Sequence, residues 1–137
     1  MPRKTWTFFI DRNVTSILRG PLEESGHTVI RHQELYPETQ HQPEDGDAAW
    51  LEEAGRNGWV VFTADASQRH KFREAKATKR YRVAKFILRA KGCKRVGLKE
   101  IIAKALPRIE QFLLDNEPPF VAKITKDGKV ERYPEWM

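Results

Sequence analysis

Apolar and polar positions along the chain follow two rhythms, one of strands and one of helices. Thr5–Ile10 is aromatic and β-branched and predicts a buried strand that closes on Asp11. Val14, Ile17, Leu18 and Leu22 then recur at helical spacing across Val14–Ser25. Gly20-Pro21 interrupts this segment and either kinks the helix or restarts it with Pro21 in its first turn. Gly26 stops it, and His27–His32 predicts a second strand, so strand, helix and strand with short links make a parallel crossover. Tyr36–Gly46 has no periodicity and predicts a loop of a length that is often functional. A helix over Asp47–Arg56 is ended by Asn57-Gly58, and Trp59–Thr63 is a continuous apolar run, as expected of a strand covered on both faces. Ala66–Thr78 predicts a partly helical, strongly basic segment, and Arg82–Leu88 a fourth strand. Leu98–Leu114 is the clearest helix, with Ile101, Ile102, Ala105, Ile109 and Phe112 on one side and Pro107 as a kink. Phe120–Thr125 and Lys129–Tyr133 flank Asp127-Gly128, a hairpin signal. The sum is a three-layer α/β/α sandwich with a mostly parallel sheet and a small C-terminal β-hairpin. It predicts one domain with a core over about 5–115 and the hairpin as an appendage over about 118–137.

Composition adds limits. The 137 residues, 39% hydrophobic and 32% charged, suffice for one core and describe a single small domain. The lone Cys93 excludes an intramolecular disulfide framework and a Cys-rich zinc module, and fits a reducing cytoplasm. No apolar run approaches the ~20 residues of a membrane helix, and the N-terminus reaches Asp11 too soon for the apolar core of a signal peptide. Neither a membrane span nor secretion is expected.

Charge is unevenly spread. The net charge is +6, yet Glu34–Glu53 carries seven acidic residues and no Lys or Arg, whereas Arg69–Lys99 carries thirteen basic residues against Glu74 alone. The basic stretch is either a solvated face or a phosphate-backbone track, since basic clusters carry sequence-independent affinity for nucleic acid. An acidic pocket beside such a track suits a metal-dependent nuclease, because a divalent ion bridges carboxylates and phosphate.

Three aspartates fall at element boundaries: Asp11 after the first strand, Asp47 at the start of the second helix, and Asp65 just after the third strand. In an open α/β sheet the carboxyl ends of the strands share one rim, where ligands bind. Asp11 and Asp65 therefore converge, and Asp47 joins them if its helix starts above that rim. Three carboxylates repel unless a cation relieves them, and Mg²⁺ or Mn²⁺ does so with oxygen ligands. Each aspartate also has a plainer role as a helix cap: Asp11 or Asn13 before Val14, Asp47 before Ala48, and Asp65 with Gln68 at capping-box spacing. Capping and metal binding are compatible.

The strand closing on Asp11-Arg12-Asn13, the Ser25-Gly26-His27-Thr28-Val29 step, the Asp47-x-x-Trp50-Leu51-x-x-Ala54 helix and the strand Val60-Val61-Phe62-Thr63-Ala64-Asp65 resemble the compact PIN-like domains related to VapC-type toxins. The resemblance covers about residues 5–90. It implies a ribonuclease fold whose acids hold Mg²⁺ or Mn²⁺, frequently the toxin of a toxin–antitoxin pair with a cognate antitoxin protein, and by analogy a homodimer. Carried over by position, Asp11, Asp47 and Asp65 match the catalytic and metal-holding acids, with Asn13 and Thr63 as supporting polar residues. Many PIN domains have a further acid downstream, where this chain offers only Glu74.

Arg69, Lys71 and Arg73 follow Asp65 closely enough to bind the RNA backbone. His27, His32, His41 and His70 have no metal-ligand spacing and are expected to be ordinary core or surface histidines. Trp50 and Trp59 are expected in the core. Two rivals stand beside the nuclease. One is a catalytically degenerate PIN-like module that binds RNA or protein. The other is a signalling receiver domain, which needs an acidic pair where this chain has Asp11-Arg12 and a hydroxyl where it has Leu88-Arg89-Ala90.

Overall fold

The computed structural model describes residues 4–10, 18–31, 47–63, 76, 78–89 and 95–132. Six strands form one sheet: β1 (Thr7–Ile10), β2 (Thr28–Arg31), β3 (Val60–Thr63), β4 (Ala84–Leu88), β5 (Phe120–Ile124) and β6 (Val130–Arg132). Their spatial order is β2-β1-β3-β4-β5-β6. All neighbours are parallel except β5 and β6. Helices α1 (Arg19–Glu24), α2 (Asp47–Asn57) and α3 (Arg95–Asp115) lie between strands. The C-terminal hairpin is continuous with the sheet, because its first arm, β5, pairs in parallel with β4 from Ala84↔Phe120 to Leu88↔Ile124.

Strand alternation divides the core into two layers. On one face Phe8, Ile10, Phe62, Phe86, Phe120 and Ile124 pack under α1 and α3. A row of tilted and edge-on rings crosses that face, with Phe8–Phe62, Phe62–Phe86 and Phe86–Phe120 centroids 5.1, 5.7 and 5.5 Å apart. On the other face Phe9, Val61 and Val83 pack against Ala54 of α2. Trp59 stacks on Phe9 at 5.9 Å, which makes it a core residue as expected.

Three helix-to-strand junctions share one design. After α1 the amide of Gly26 donates to Glu23 O and that of His27 to Leu22 O; after α2 Gly58 donates to Gly55 O and Trp59 to Ala54 O. Both are Schellman ends with a glycine at positive φ, +91° and +69°. The third, after the helical residues 78–80, repeats the pattern with Arg82→Lys79 and Val83→Thr78, yet its left-handed residue is Arg82 at φ +55°. That turn moves the start of β4 from Arg82, where the apolar pattern predicts it, to Ala84. The described part of the first helix begins at Arg19, so Pro21 sits in its first turn, where a missing N–H costs nothing.

α3 runs unbroken through Pro107. It also gives the fold an unusual hand. α1 connects β1 to its left-hand neighbour and α2 crosses rightward on the opposite face, so those two crossovers share a hand. The β4–α3–β5 crossover moves rightward with its helix on the face of α1, and therefore has the opposite hand. About 98% of parallel crossovers are right-handed. On that face Ile102, Ala105, Leu106 and Ile109 of α3 pack in one cluster with Phe62, Phe86 and Phe120.

Candidate metal-binding rim

The parallel strands end on one rim, at Ile10, Arg31, Thr63 and Leu88. β1 leads to β2 on one side and β3 lies on the other, so the order reverses between β1 and β3; ligands of doubly wound sheets sit in the crevice at such a reversal. Asp11 is the residue after Ile10, and Asp65 is two residues beyond Thr63.

α2 reaches the rim by its own geometry. Its last turn sits at the amino ends of the strands, with Gly58-Trp59 leading directly into β3 and Ala54 against Phe9, Val61 and Val83. Eleven helical residues span about 16 Å, and four-residue strands about 13 Å, so the first residue, Asp47, starts at the level of the strand carboxyl ends. Its side chain, and residues Asp11, Asn13, Asp65, Arg69, Lys71 and Arg73, lie outside the described groups, as do His32, His41, His70 and Cys93. Among the described residues no three His, Cys, Asp or Glu side chains gather as a metal site. The candidate donors named from the sequence are carboxylates, a chemistry that suits a hard divalent ion such as Mg²⁺ or Mn²⁺.

Thr63 is buried at the end of β3, in register with Ile87. Its spacing from Val61 puts it on the α2 face of the sheet. Lys85 departs from expectation. Counted with the basic track, it is instead fully buried in β4, in register with Val61 and Val121. The sequence signal was present: Val83-Ala84-Lys85-Phe86-Ile87 leaves a lysine no solvent-facing position in a strand covered on both sides. Lys76, Lys79, Arg80, Arg82 and Arg89 of the same stretch are exposed, and Arg82 also donates to Pro118 O at 3.0 Å.

His27 is a core histidine, as its isolation from other ligands predicts. Its Nδ1 accepts the Trp6 amide at 3.2 Å, so Nε2 carries the proton and donates to Glu110 Oε2 at 3.0 Å. Phe8 meets the ring edge-on at 5.1 Å. This pair ties the residue just before β2 to α3, at the amino ends of the parallel strands.

The PIN-like domain family model matches residues 7–90. The chain belongs to this family. The match begins with the first residue of β1 and ends just beyond β4, so α3, β5 and β6 lie outside it. PIN-like domains are commonly a nuclease fold. No curated protein and no solved structure matches the chain. No described helix is long and apolar enough to cross a membrane.

Proposed function

We propose that the protein is a metal-dependent endoribonuclease that hydrolyses RNA phosphodiester bonds, acting in the cytoplasm as the toxin of a toxin–antitoxin pair. The observation that supports this reading is the PIN-like family match over residues 7–90, together with the adjacency of β1 and β3, the strands that Asp11 and Asp65 follow in the sequence. In this reading the three aspartates hold Mg²⁺ or Mn²⁺, and Asn13 and Thr63 orient them. The bound ion supplies charge stabilisation to the phosphoryl oxygens and acidifies water. Asp11 and Asp65 fix where the phosphate sits between the two central strands, which is the positioning part of catalysis. Arg69, Lys71 and Arg73 neutralise neighbouring phosphates without reading bases. The cognate antitoxin closes the acidic crevice, and two copies of the chain form a homodimer.

A second reading is a PIN-like module that binds RNA or protein without cleaving. It is favoured by the single carboxylate, Glu74, among the thirteen basic residues of Arg69–Lys99. One experiment separates the two: incubation of a structured RNA pool with wild type and Asp65→Asn, each with Mn²⁺, Mg²⁺ or EDTA. Metal-dependent cutting by wild type, reduced at least a hundredfold in the variant, supports the nuclease. RNA retained but uncut by wild type transfers the conclusion to the binding module.

A further inference from the structure

The family match ends at residue 90, and the segments beyond it, α3 and the β5–β6 hairpin, carry a cationic surface of their own. Ile124, the last residue of β5, is in register with Leu88, and the Arg89 amide donates to Ile124 O at 2.9 Å. The hairpin turn over residues 125–129 therefore sits on the carboxyl rim of the parallel strands. α3 passes beside that turn. Arg108 donates from Nη1 to Gly128 O at 2.9 Å, and the Lys104 stem lies so close to Gly128 that a Cβ there would meet Cγ at 3.1 Å and Cδ at 3.2 Å. Two helix cations thus join two turn cations, Lys126 and Lys129, and all four are exposed.

The turn that presents them is fixed by three hydrogen bonds: Gly128 N to Thr125 O at 2.9 Å, Thr125 N to Lys129 O at 3.0 Å and Lys129 N to Thr125 Oγ1 at 3.2 Å. Gly128 is buried at φ +79°, where a side chain would be strained and would displace Lys104. Among the described residues none of the four cations takes part in an ion pair. Of the neighbouring acids, Glu110 is engaged by His27 and Glu131 by Lys123, while Asp127 and Glu100 close on none of the four. Arg108 uses one of its five N–H donors on Gly128, which leaves the others for a ligand. The surface offers no apolar anchor, since the only large exposed hydrophobic residue among those described, Leu114, lies nearly two turns farther along α3. A protein interface centres on buried aromatic or aliphatic anchors, and a membrane-surface helix needs an apolar face. A nucleic-acid backbone needs neither, because Lys and Arg hold it through its phosphates.

We propose that Lys104, Arg108, Lys126 and Lys129 form a phosphate-backbone clamp that holds RNA at the α3–hairpin junction, in addition to the Arg69, Lys71 and Arg73 track of the proposed function. The proposal rests on the reading that RNA is the ligand. The clamp contacts no base and so adds affinity without sequence preference.

The test is the fluorescence anisotropy of labelled poly(U) RNA with EDTA present, from about 50 to 200 mM KCl, on wild type, Lys126→Gln/Lys129→Gln and Lys104→Gln/Arg108→Gln. A control, Lys4→Gln/Arg56→Gln, removes the same charge from exposed positions at the amino ends of the strands. Each clamp variant is expected to bind at least about fivefold more weakly at the lowest salt, and to flatten the plot of log affinity against log salt by about 1.4, two contacts at about 0.7 each for a single strand. The control should change affinity by less than about twofold. A loss as large in the control, unchanged binding by Lys126→Gln/Lys129→Gln, or no binding by wild type overturns the proposal. Lys126 and Lys129 make no side-chain bond, so that pair decides the case if Lys104→Gln/Arg108→Gln does not fold. Loss of binding to phosphatidylserine vesicles in the clamp variants, with RNA affinity intact, assigns the surface to a membrane and also overturns it. Weakened RNA binding in a protein that leaves RNA uncut with Mn²⁺ sinks the nuclease reading alone, and cutting by wild type with the variants' RNA affinity intact sinks this proposal alone.

Discussion

Gly55 offers a substitution whose sign is decided by competition between helix propensity and space. It lies inside α2, where alanine is better than glycine by about 1 kcal/mol. A Cβ built there, however, meets Tyr81 O at 2.1 Å, Tyr81 Cβ at 2.9 Å and Tyr81 C at 3.0 Å. An ordinary carbon–oxygen contact is about 3.3 Å, so two backbone segments must separate by roughly 1 Å. The Tyr81 side cannot yield cheaply: Arg82→Lys79 and Val83→Thr78 hydrogen bonds of 3.3 and 3.0 Å hold that turn, and Arg82 is already at positive φ. Overpacking of this kind costs about 1–3 kcal/mol, and contact with backbone in place of a movable side chain puts this site at or above the upper end. Gly55→Ala is expected to lose about 2 kcal/mol net, lowering the urea midpoint by roughly 1 M at a slope near 2 kcal/mol/M. Tryptophan fluorescence reports the transition, and Arg56→Ala in the same helix, an exposed position, is the reference and should move stability by no more than about 0.5 kcal/mol. A Gly55→Ala protein with an equal or higher midpoint and unchanged slope would refute the reasoning. On the proposed function, in which Asp47 of α2 is one of the residues that hold Mn²⁺, the same displacement should also weaken Mn²⁺ binding.

Other outcomes follow from the same contacts. Arg82→Gly removes a left-handed non-glycine residue at the cost of one exposed hydrogen bond to Pro118 O, so thermal unfolding should show a gain of up to about 1 kcal/mol; a loss above 1 kcal/mol would show that the bond outweighs the strain. His27→Leu leaves the Trp6 amide and Glu110 without their buried partner and is expected to cost about 2–3 kcal/mol in urea unfolding, whereas a loss below 1 kcal/mol would mean that water or another group replaces the imidazole.

Much of the fold was legible from local pattern. Strand and helix rhythms locate the nine elements of the described residues, while the helical segment expected over Ala66–Thr78 lies mostly outside them, and Gly26 and Gly58 mark two of the three described Schellman turns. The third carries no such mark, because its left-handed residue is Arg82, which no turn signature flags, and the apolar pattern therefore places the start of β4 two residues early. The hairpin at Asp127-Gly128 was expected as a tight turn; Gly128 at φ +79° donates to Thr125 O, and Thr125 pairs with Lys129 across three intervening residues. Its attachment to β4 could not be read from the chain, since an apolar strand carries no label for its neighbour.

The sequence by itself determined which segments become strands and helices, and that Asp11 and Asp65 follow strands while Asp47 opens a helix, because these depend on propensity, capping and periodicity over a few residues. Only the tertiary structure decided that β1 and β3 are adjacent, that α2 starts at their carboxyl rim, that α3 crosses with the opposite hand, and that Lys85 belongs to the interior. Those outcomes depend on which apolar faces bury each other across the whole chain, a choice made by total burial and the cost of buried charge.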